Sequence, residues 1–224
     1  IRGDDKIMNQ TILNIRGMIF DLDGTLIDSM PAWENIGSDF LKKHGINPPD
    51  DLNEIIKTMS FAESARYFIE FYGVAMTEAQ VGDEINGMIR ENYAKHIVLK
   101  PYVKETLDQY LNQGIKMGIL TATHKTLTEL VLRRFGLLDH FEFILTSGMA
   151  GLPKSQPEIY HQAVAQLQLP AQRITIFEDS LYCIKAARET GCHIVGVFDE
   201  ASKNDWEAIK NSSDCAIMSF KELL

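Results

Sequence analysis

Two aspartates separated by one residue come directly after an apolar segment near the start of the chain. Asp21 and Asp23 lie in the run FDLDGTLIDS, residues 20–29, behind the apolar residues Met18 and Ile19. Residues i and i+2 of an extended segment point to the same side, and two carboxylates this close repel each other unless a cation or a shared proton compensates. Ligands of open α/β sheets bind beyond the carboxyl ends of the strands. We therefore interpret Asp21 as a candidate catalytic residue or metal ligand; the alternative is an Asp-rich turn that only ends a strand.

Short apolar runs alternate with helix-like segments from about residue 100 onward. After the first run at residues 18–20, further strands are predicted at 114–120, 141–145, 174–177 and 193–197. Helices are predicted between them, including 157–167 and 181–189. This alternation is typical of βαβ units in a parallel sheet. We therefore predict an α/β fold with a Rossmann-like parallel sheet core.

Residues 30–99 follow a different pattern, because their apolar residues recur at helical spacings without a convincing strand between them. We predict an α-helical domain at 30–99 inserted into a core made of residues 15–29 and 100–224. Pro31 and Pro101 lie at the two junctions and suit a hinged pair of linkers. Residues 1–14 are polar, and we expect a weakly structured N-terminal extension there.

The composition argues against several classes of function. The 22 basic and 31 acidic side chains give a net charge of −9, and no run of basic residues is longer than two, which disfavours nucleic acid and anionic lipid as partners. No apolar stretch approaches the roughly 18 residues of a membrane span. The three cysteines lack metal-ligand spacing, as expected in a reducing cytosol. We expect a cytoplasmic protein, either a monomer or a weak homodimer, that binds neither nucleic acid nor a membrane.

Four motifs in order resemble those of the haloacid dehalogenase-like (HAD) superfamily of phosphotransferases. The first is residues 20–29, which match the pattern DxDGTLxDS; the second is an apolar strand ending at Thr121. The third is Lys154 in GLPKSQPEIY, and the fourth is an apolar strand ending in the pair Glu178-Asp179. The resemblance spans residues 18–197, and it implies the HAD fold with the inserted helical domain as the small cap shared by β-phosphoglucomutase-like phosphatases.

Two positions within these motifs depart from the family pattern. Ser155 replaces the usual first proline after the lysine, which alters loop stiffness more than charge. Cys183 stands where the family usually has glycine, so we expect the first turn of that helix to lie slightly further from its neighbours.

The resemblance implies phosphoryl transfer through an aspartyl-phosphate. Asp21 would be the nucleophile, and Asp23 would act first as general acid and then as general base. It also implies a Mg²⁺ site formed by Asp21, Asp23, Glu178 and Asp179. Asp23 would bind through its backbone carbonyl, and Glu178 would bind either directly or through a water molecule. The phosphoryl group would be bound by Thr121, Thr123 and Lys154.

The favoured function is a Mg²⁺-dependent phosphatase for a small phosphorylated metabolite, such as a sugar phosphate, a polyol phosphate or a nucleotide monophosphate. The cap is expected to determine which leaving group, and so which substrate, is accepted, because a hinged lid excludes water and carries specificity contacts. A β-phosphoglucomutase-type mutase is the alternative. Such mutases usually have a His at the position of Trp33 and, at the position of Phe61, an Arg that binds a second phosphate, so the absence of both favours hydrolysis.

A third hypothesis is a non-enzymatic receiver-like phosphorelay module. Asp23 and the inserted domain argue against it, because a receiver should not hydrolyse its own aspartyl-phosphate quickly and has no use for a lid. A 2-haloacid dehalogenase is also disfavoured, since displacement at carbon requires neither Mg²⁺ nor the second aspartate.

Overall fold

The computed structural model describes residues 14–56, 59 and 61–224, without the side chains of Glu54, Phe61 and Ala62. The predicted N-terminal extension, apart from Asn14, lies outside the described residues. The chain divides into two compact units: one, the core unit, runs to Asp28 and resumes at Val98–Leu224, and the other, the inserted unit, is Ser29–Ile97.

The strands of the core unit form one large sheet and one small one. In chain order they are β1 (Gly17–Phe20), β2 (Ile27–Asp28), β3 (Val98–Leu99), β4 (Lys116–Thr121), β5 (Phe143–Thr146), β6 (Ile174–Glu178), β7 (His193–Val197) and β8 (Cys215–Ile217). Six of them form a parallel sheet in the order β5-β4-β1-β6-β7-β8. All residues of β1 and β6 are buried, as expected for the central strands of a parallel sheet.

The inserted unit is helical in its described part. Its elements are α1 (Met30–Lys43), α2 (Leu52–Ile56), α3 (Phe61–Tyr72), α4 (Glu78–Glu91) and a π-helical turn at Asn92–His96. Pro31 lies in the first turn of α1, where its missing N–H costs no hydrogen bond, and Thr77 forms a capping box with Gln80 at the start of α4. The helices enclose their own apolar core, in which the rings of Phe40 and Phe68 stack with centroids 5.5 Å apart.

The remaining helices belong to the core unit. They are α5 (Val103–Asn112), α6 (Lys125–Arg134), α7 (Ser147–Ala150), α8 (Pro157–Leu167), α9 (Leu181–Arg188) and α10 (Trp206–Ser212), with 3₁₀ turns at Leu138–His140, Ala171–Arg173, Glu200–Asp205 and Phe220–Leu223. Residues of α8, α9 and α10 form one continuous apolar core with β1, β4, β5, β6 and β7. In the part of the chain that the structure describes, none of these helices is long and apolar enough to cross a membrane.

The two chain segments that lead to and from the inserted unit pair with each other. In β2 and β3, Ile27 lies opposite Leu99 and Asp28 opposite Val98 in antiparallel register. The N–H of Lys100 extends this pairing by donating to the carbonyl of Leu26 at 3.0 Å. Both connections therefore leave the core unit side by side, although the sequence indicates only proline-containing linkers there.

The predicted α/β architecture is confirmed. The parallel sheet and the inserted helices are both present, and the observed bounds of β6, β7 and α8 agree with the expected segments to within one residue. Because β1 lies between β4 and β6, the carboxyl ends of these three strands meet at one edge of the sheet.

Candidate active site

The central strands bring the predicted site residues to one edge of the core unit. Phe20 of β1 is in register with Phe177 of β6, so that Asp21 and Glu178 leave neighbouring strands side by side. The N–H of Asp21 donates to the carbonyl of Phe177 at 3.0 Å, which continues the ladder by one step. On the other side of β1, Thr121 ends β4 and is completely buried.

The turn after β1 packs directly against Asp179. Gly24 has a φ of +80°, a conformation that favours glycine, and a Cβ placed there would lie 2.5 Å from Asp179 Oδ2. The hydroxyl of Thr25 donates to Asp179 Oδ1 at 3.0 Å. The glycine of the first motif is therefore needed for close approach to the fourth motif, and Thr25, for which the sequence predicts no role, orients a candidate metal ligand.

Lys154 lies between two carboxylates in the interior. Its Nζ is 2.5 Å from Asp21 Oδ1 and 2.5 Å from Glu178 Oε1, and only 6% of the residue is exposed. Burial lowers the pKa of Lys154, but the charges of Asp21 and Glu178 outweigh this effect and raise the pKa well above its ordinary value. Lys154 is therefore a fixed positive charge beside Asp21.

The two acids that contact this lysine belong to a cluster of three buried acids. Asp21, Glu178 and Asp179 each offer one carboxylate oxygen, and these oxygens lie within 4.8 Å of one another. Burial raises the pKa of Asp21 well above its ordinary value, and the neighbouring acids raise it further, while Lys154 lowers it. Burial and the charge of Glu178 likewise raise the pKa of Asp179 to about 7. The three buried carboxylates thus have one ammonium group beside them, which contacts two of them.

This cluster fits a divalent cation with oxygen ligands. Glu178 Oε2 is a buried atom for which the described residues provide no hydrogen-bond partner, and a buried polar atom of this kind is costly unless something binds it. Carboxylate oxygens are the ligands that Mg²⁺ prefers. A cation bound here would also offset the excess negative charge of the three acids.

The carboxylate of Asp23 has a hydrogen-bond partner from outside the cluster of three acids. Asp23 is half-buried and accepts a hydrogen bond at 2.7 Å from the hydroxyl of Thr123, a residue one hundred positions further along the chain. The N–H of Thr123 in turn donates to Thr121 Oγ1 at 3.0 Å. The structure therefore brings Thr121, Thr123 and Asp23 together at the end of β4.

Tyr160 is a residue of this region that sequence reasoning does not assign to the site. It is completely buried on α8, and its hydroxyl donates to Glu178 Oε1 at 2.8 Å. The only sequence signal is its position six residues after Lys154, where an aromatic residue at helical spacing reads as core. Cys183 is buried in the same apolar core.

Comparison with known proteins identifies the family. Residues 18–197 match the family of haloacid dehalogenase-like hydrolases, and the chain belongs to this family. The chain is 28% identical over 218 residues to the phosphoglycolate phosphatase of Yersinia pseudotuberculosis serotype I (strain IP32953), a match that covers 94% of this chain and 92% of that protein. It is 24% identical over 211 residues to the phosphorylated carbohydrates phosphatase of Thermotoga maritima, covering 94% of this chain and 97% of that protein.

A solved structure agrees in fold. The structure of CbbY from Rhodobacter sphaeroides in complex with phosphate superposes with a TM-score of 0.75 and 22% identity, covering 93% of this chain and 96% of that chain. The resemblance seen in the four sequence motifs is thus confirmed at the level of family and fold.

Proposed function

We propose that this hydrolase is a Mg²⁺-dependent phosphatase that acts on a small phosphorylated metabolite through a phosphoryl-enzyme intermediate at Asp21. The observation that carries the proposal is the buried Asp21 beside Lys154 at the carboxyl end of the central strand, within a cluster of three acids. Phosphoryl transfer requires mainly positioning and neutralisation of charge, and this arrangement offers both.

In the first half of the reaction, a carboxylate oxygen of Asp21 forms a bond to phosphorus as the bond from phosphorus to the ester oxygen breaks. Lys154 holds Asp21 in place and reduces its repulsion toward the dianionic phosphoryl group. The buried hydroxyl of Thr121 lies at the same edge of the sheet and is proposed to donate to a phosphoryl oxygen. Mg²⁺, when held by Asp21, Asp23 through its carbonyl, Glu178 and Asp179, supplies further positive charge.

Asp23 is proposed to act as the general acid and the general base of the reaction. It gives a proton to the departing ester oxygen and later removes one from the water that hydrolyses the aspartyl-phosphate. The hydrogen bond from Thr123 fixes one oxygen of this carboxylate and thereby sets the direction of the other. The structure supports Thr123 as a positioning residue for Asp23, in addition to the substrate contact expected from the sequence.

The two curated relatives, a phosphoglycolate phosphatase and a phosphatase of phosphorylated carbohydrates, support a small phosphorylated acid or sugar as the substrate class. Polyol phosphates stay within the proposal as a further class. Nucleotide monophosphates stay within the proposal as the remaining class. The test is to incubate the purified protein with a panel of these compounds and to measure release of inorganic phosphate as kcat/KM. Faster conversion of β-glucose 1-phosphate to the 6-phosphate than release of phosphate would instead establish a mutase.

Removal of the cation should stop hydrolysis reversibly. We expect EDTA to lower phosphate release at least about a hundredfold, because a bound cation supplies several kcal/mol of charge stabilisation in the transition state. Addition of excess Mg²⁺ should restore the activity, whereas Ca²⁺, which tolerates more ligands at longer distances, should not. Full activity in EDTA would contradict the metal assignment.

The role of Thr123 can be tested with two variants. In Thr123→Val we expect kcat to fall about tenfold, because general acid–base catalysis is worth on the order of 10²–10⁴-fold and the acid is misdirected rather than removed. Thr123→Ser keeps the hydroxyl and should retain most of the activity. Thr128→Val applies the same change to a fully buried threonine of α6, whose hydroxyl donates to a backbone carbonyl, and should leave kcat unchanged. Equal rates in all three variants would exclude the positioning role.

A further inference from the structure

One oxygen of Glu178 has two donors, and the other oxygen has none among the described residues. Oε1 is 2.5 Å from Lys154 Nζ and accepts the hydrogen bond of the Tyr160 hydroxyl at 2.8 Å. Oε2 is buried without a hydrogen-bond partner in the described part of the chain. Oε1 of Glu178 is therefore held by two donors, and Oε2 is available to bind a ligand within the cluster of three acids.

Tyr160 is itself fixed from behind. Its ring is fully buried in the apolar core of the core unit, together with Ile159 and Ala163 of the same helix. A phenol has a single O–H donor, and the Tyr160 O–H donates to Glu178.

The last torsion of a glutamate is broad and nearly two-fold, so its two oxygens exchange easily unless their partners differ. Lys154 alone does not distinguish them, because an ammonium group attracts either oxygen. The Tyr160 hydroxyl is carried by a rigid, fully buried aromatic ring, so the position of its donor is fixed. It is therefore the contact that decides which oxygen is turned away from Lys154.

We propose that Tyr160 is a positioning residue that holds Oε1 of Glu178 and thereby presents Oε2 to the divalent cation or to a water bound to it. The proposal rests on the proposed function for its metal, and it deepens the description of that site. Tyr160 is not among the predicted site residues.

The test measures binding of Mg²⁺ alone, without substrate, to protein first freed of metal with EDTA. Isothermal titration should give a Kd for Mg²⁺ that is about tenfold higher in Tyr160→Phe than in the wild type, since loss of an outer partner of a metal ligand typically weakens binding by about 10- to 100-fold. Tyr110→Phe removes the hydroxyl of another buried tyrosine of the core unit, on α5, and should leave the Kd unchanged.

Tyr160→Met, which also lacks the hydroxyl, provides a second variant if Tyr160→Phe fails to fold. Its unbranched side chain adapts to the space left by the ring, and it should raise the Kd for Mg²⁺ about as much as Tyr160→Phe. A merely structural role would lower the thermal midpoint of the metal-free variants and leave the Kd at its wild-type value, and that result would overturn the proposal.

The same titration separates this proposal from the proposed function. A raised Kd in Tyr160→Phe, together with a wild-type protein that hydrolyses no phosphate ester of the panel, would support the positioning role and reject the phosphatase. An unchanged Kd for Mg²⁺ in an active, well-folded Tyr160→Phe would reject the positioning role and support the phosphatase. A wild-type protein that binds no Mg²⁺ would overturn the positioning role together with the metal site.

Discussion

Asp21→Asn is expected to abolish phosphate release from p-nitrophenyl phosphate, with kcat/KM at least about 10⁴-fold below the wild type, the scale of losing a covalent nucleophile. The amide of asparagine is a very weak nucleophile toward phosphorus, and the rest of the site stays in place. The variant should fold, because the asparagine oxygen can still accept the hydrogen bond that Lys154 donates to Asp21 Oδ1.

Circular dichroism and the thermal midpoint verify the fold of Asp21→Asn. Asp139→Asn makes the same change at an exposed carboxylate of the core unit and should keep the wild-type rate. Turnover in Asp21→Asn above the level of contaminating phosphatases would exclude covalent catalysis at this residue. A loss of activity that is accompanied by loss of the folded state would point to a structural effect, and the Asp139→Asn control would then show whether the change of residue type alone is harmful.

The architecture could be predicted because the local signals agree with one another. The runs that became β1, β4, β6 and β7 are predominantly apolar, and all of their residues except the first of β4 and of β7 are buried, as expected for strands covered on both faces. Gly136, at the end of α6, has the positive φ that favours glycine beyond a helix end. Pairing of β2 with β3 was not foreseen, because each strand has only two residues and carries no periodicity of its own.

The site could be predicted only in part. Asp21, Lys154, Glu178 and Asp179 follow from motifs in which residue type and order carry the information, and the structure places all four within one buried cluster. The partners of these residues are set by the tertiary fold. The hydrogen bond from Thr123 to Asp23 joins residues 100 positions apart, and neither neighbourhood in the sequence indicates it.

Tyr160 shows that residue spacing can predict the burial of a side chain without predicting its polar contact. It lies on the face of α8 that packs into the core, with Ile159, Ala163 and Leu167 among its neighbours in the apolar cluster, so its spacing predicts a core residue. The prediction is right for the ring and incomplete for the hydroxyl. A polar atom at the tip of a buried aromatic side chain needs a partner, and only the three-dimensional structure identifies that partner as Glu178.

Lys154→Met should cost both activity and stability. Methionine is unbranched and of similar length, so it fills the space of the lysine stem while removing the charge. We expect phosphate release to fall about 10³-fold, the scale of losing one strong electrostatic contact in the transition state. We also expect the free energy of unfolding to fall by about 3–5 kcal/mol, because breaking a buried ion pair leaves uncompensated charges inside. Here two carboxylates, each 2.5 Å from Nζ, lose their common cation.

Urea denaturation with and without Mg²⁺ separates the two contributions. Mg²⁺ binds the folded state, so it should stabilise Lys154→Met and recover part of the lost free energy, while hydrolysis stays low because the metal does not replace the lysine beside Asp21. The matched control is Lys100→Met, which breaks the pair formed by Lys100 and Asp199, 2.7 Å apart and largely buried. It should lose a comparable free energy yet keep kcat within about threefold, the scale of a change that leaves transition-state contacts intact. If Lys100→Met lost as much activity as Lys154→Met, the effect of Lys154 would be one of stability, and its proposed part in phosphoryl transfer would have to be abandoned.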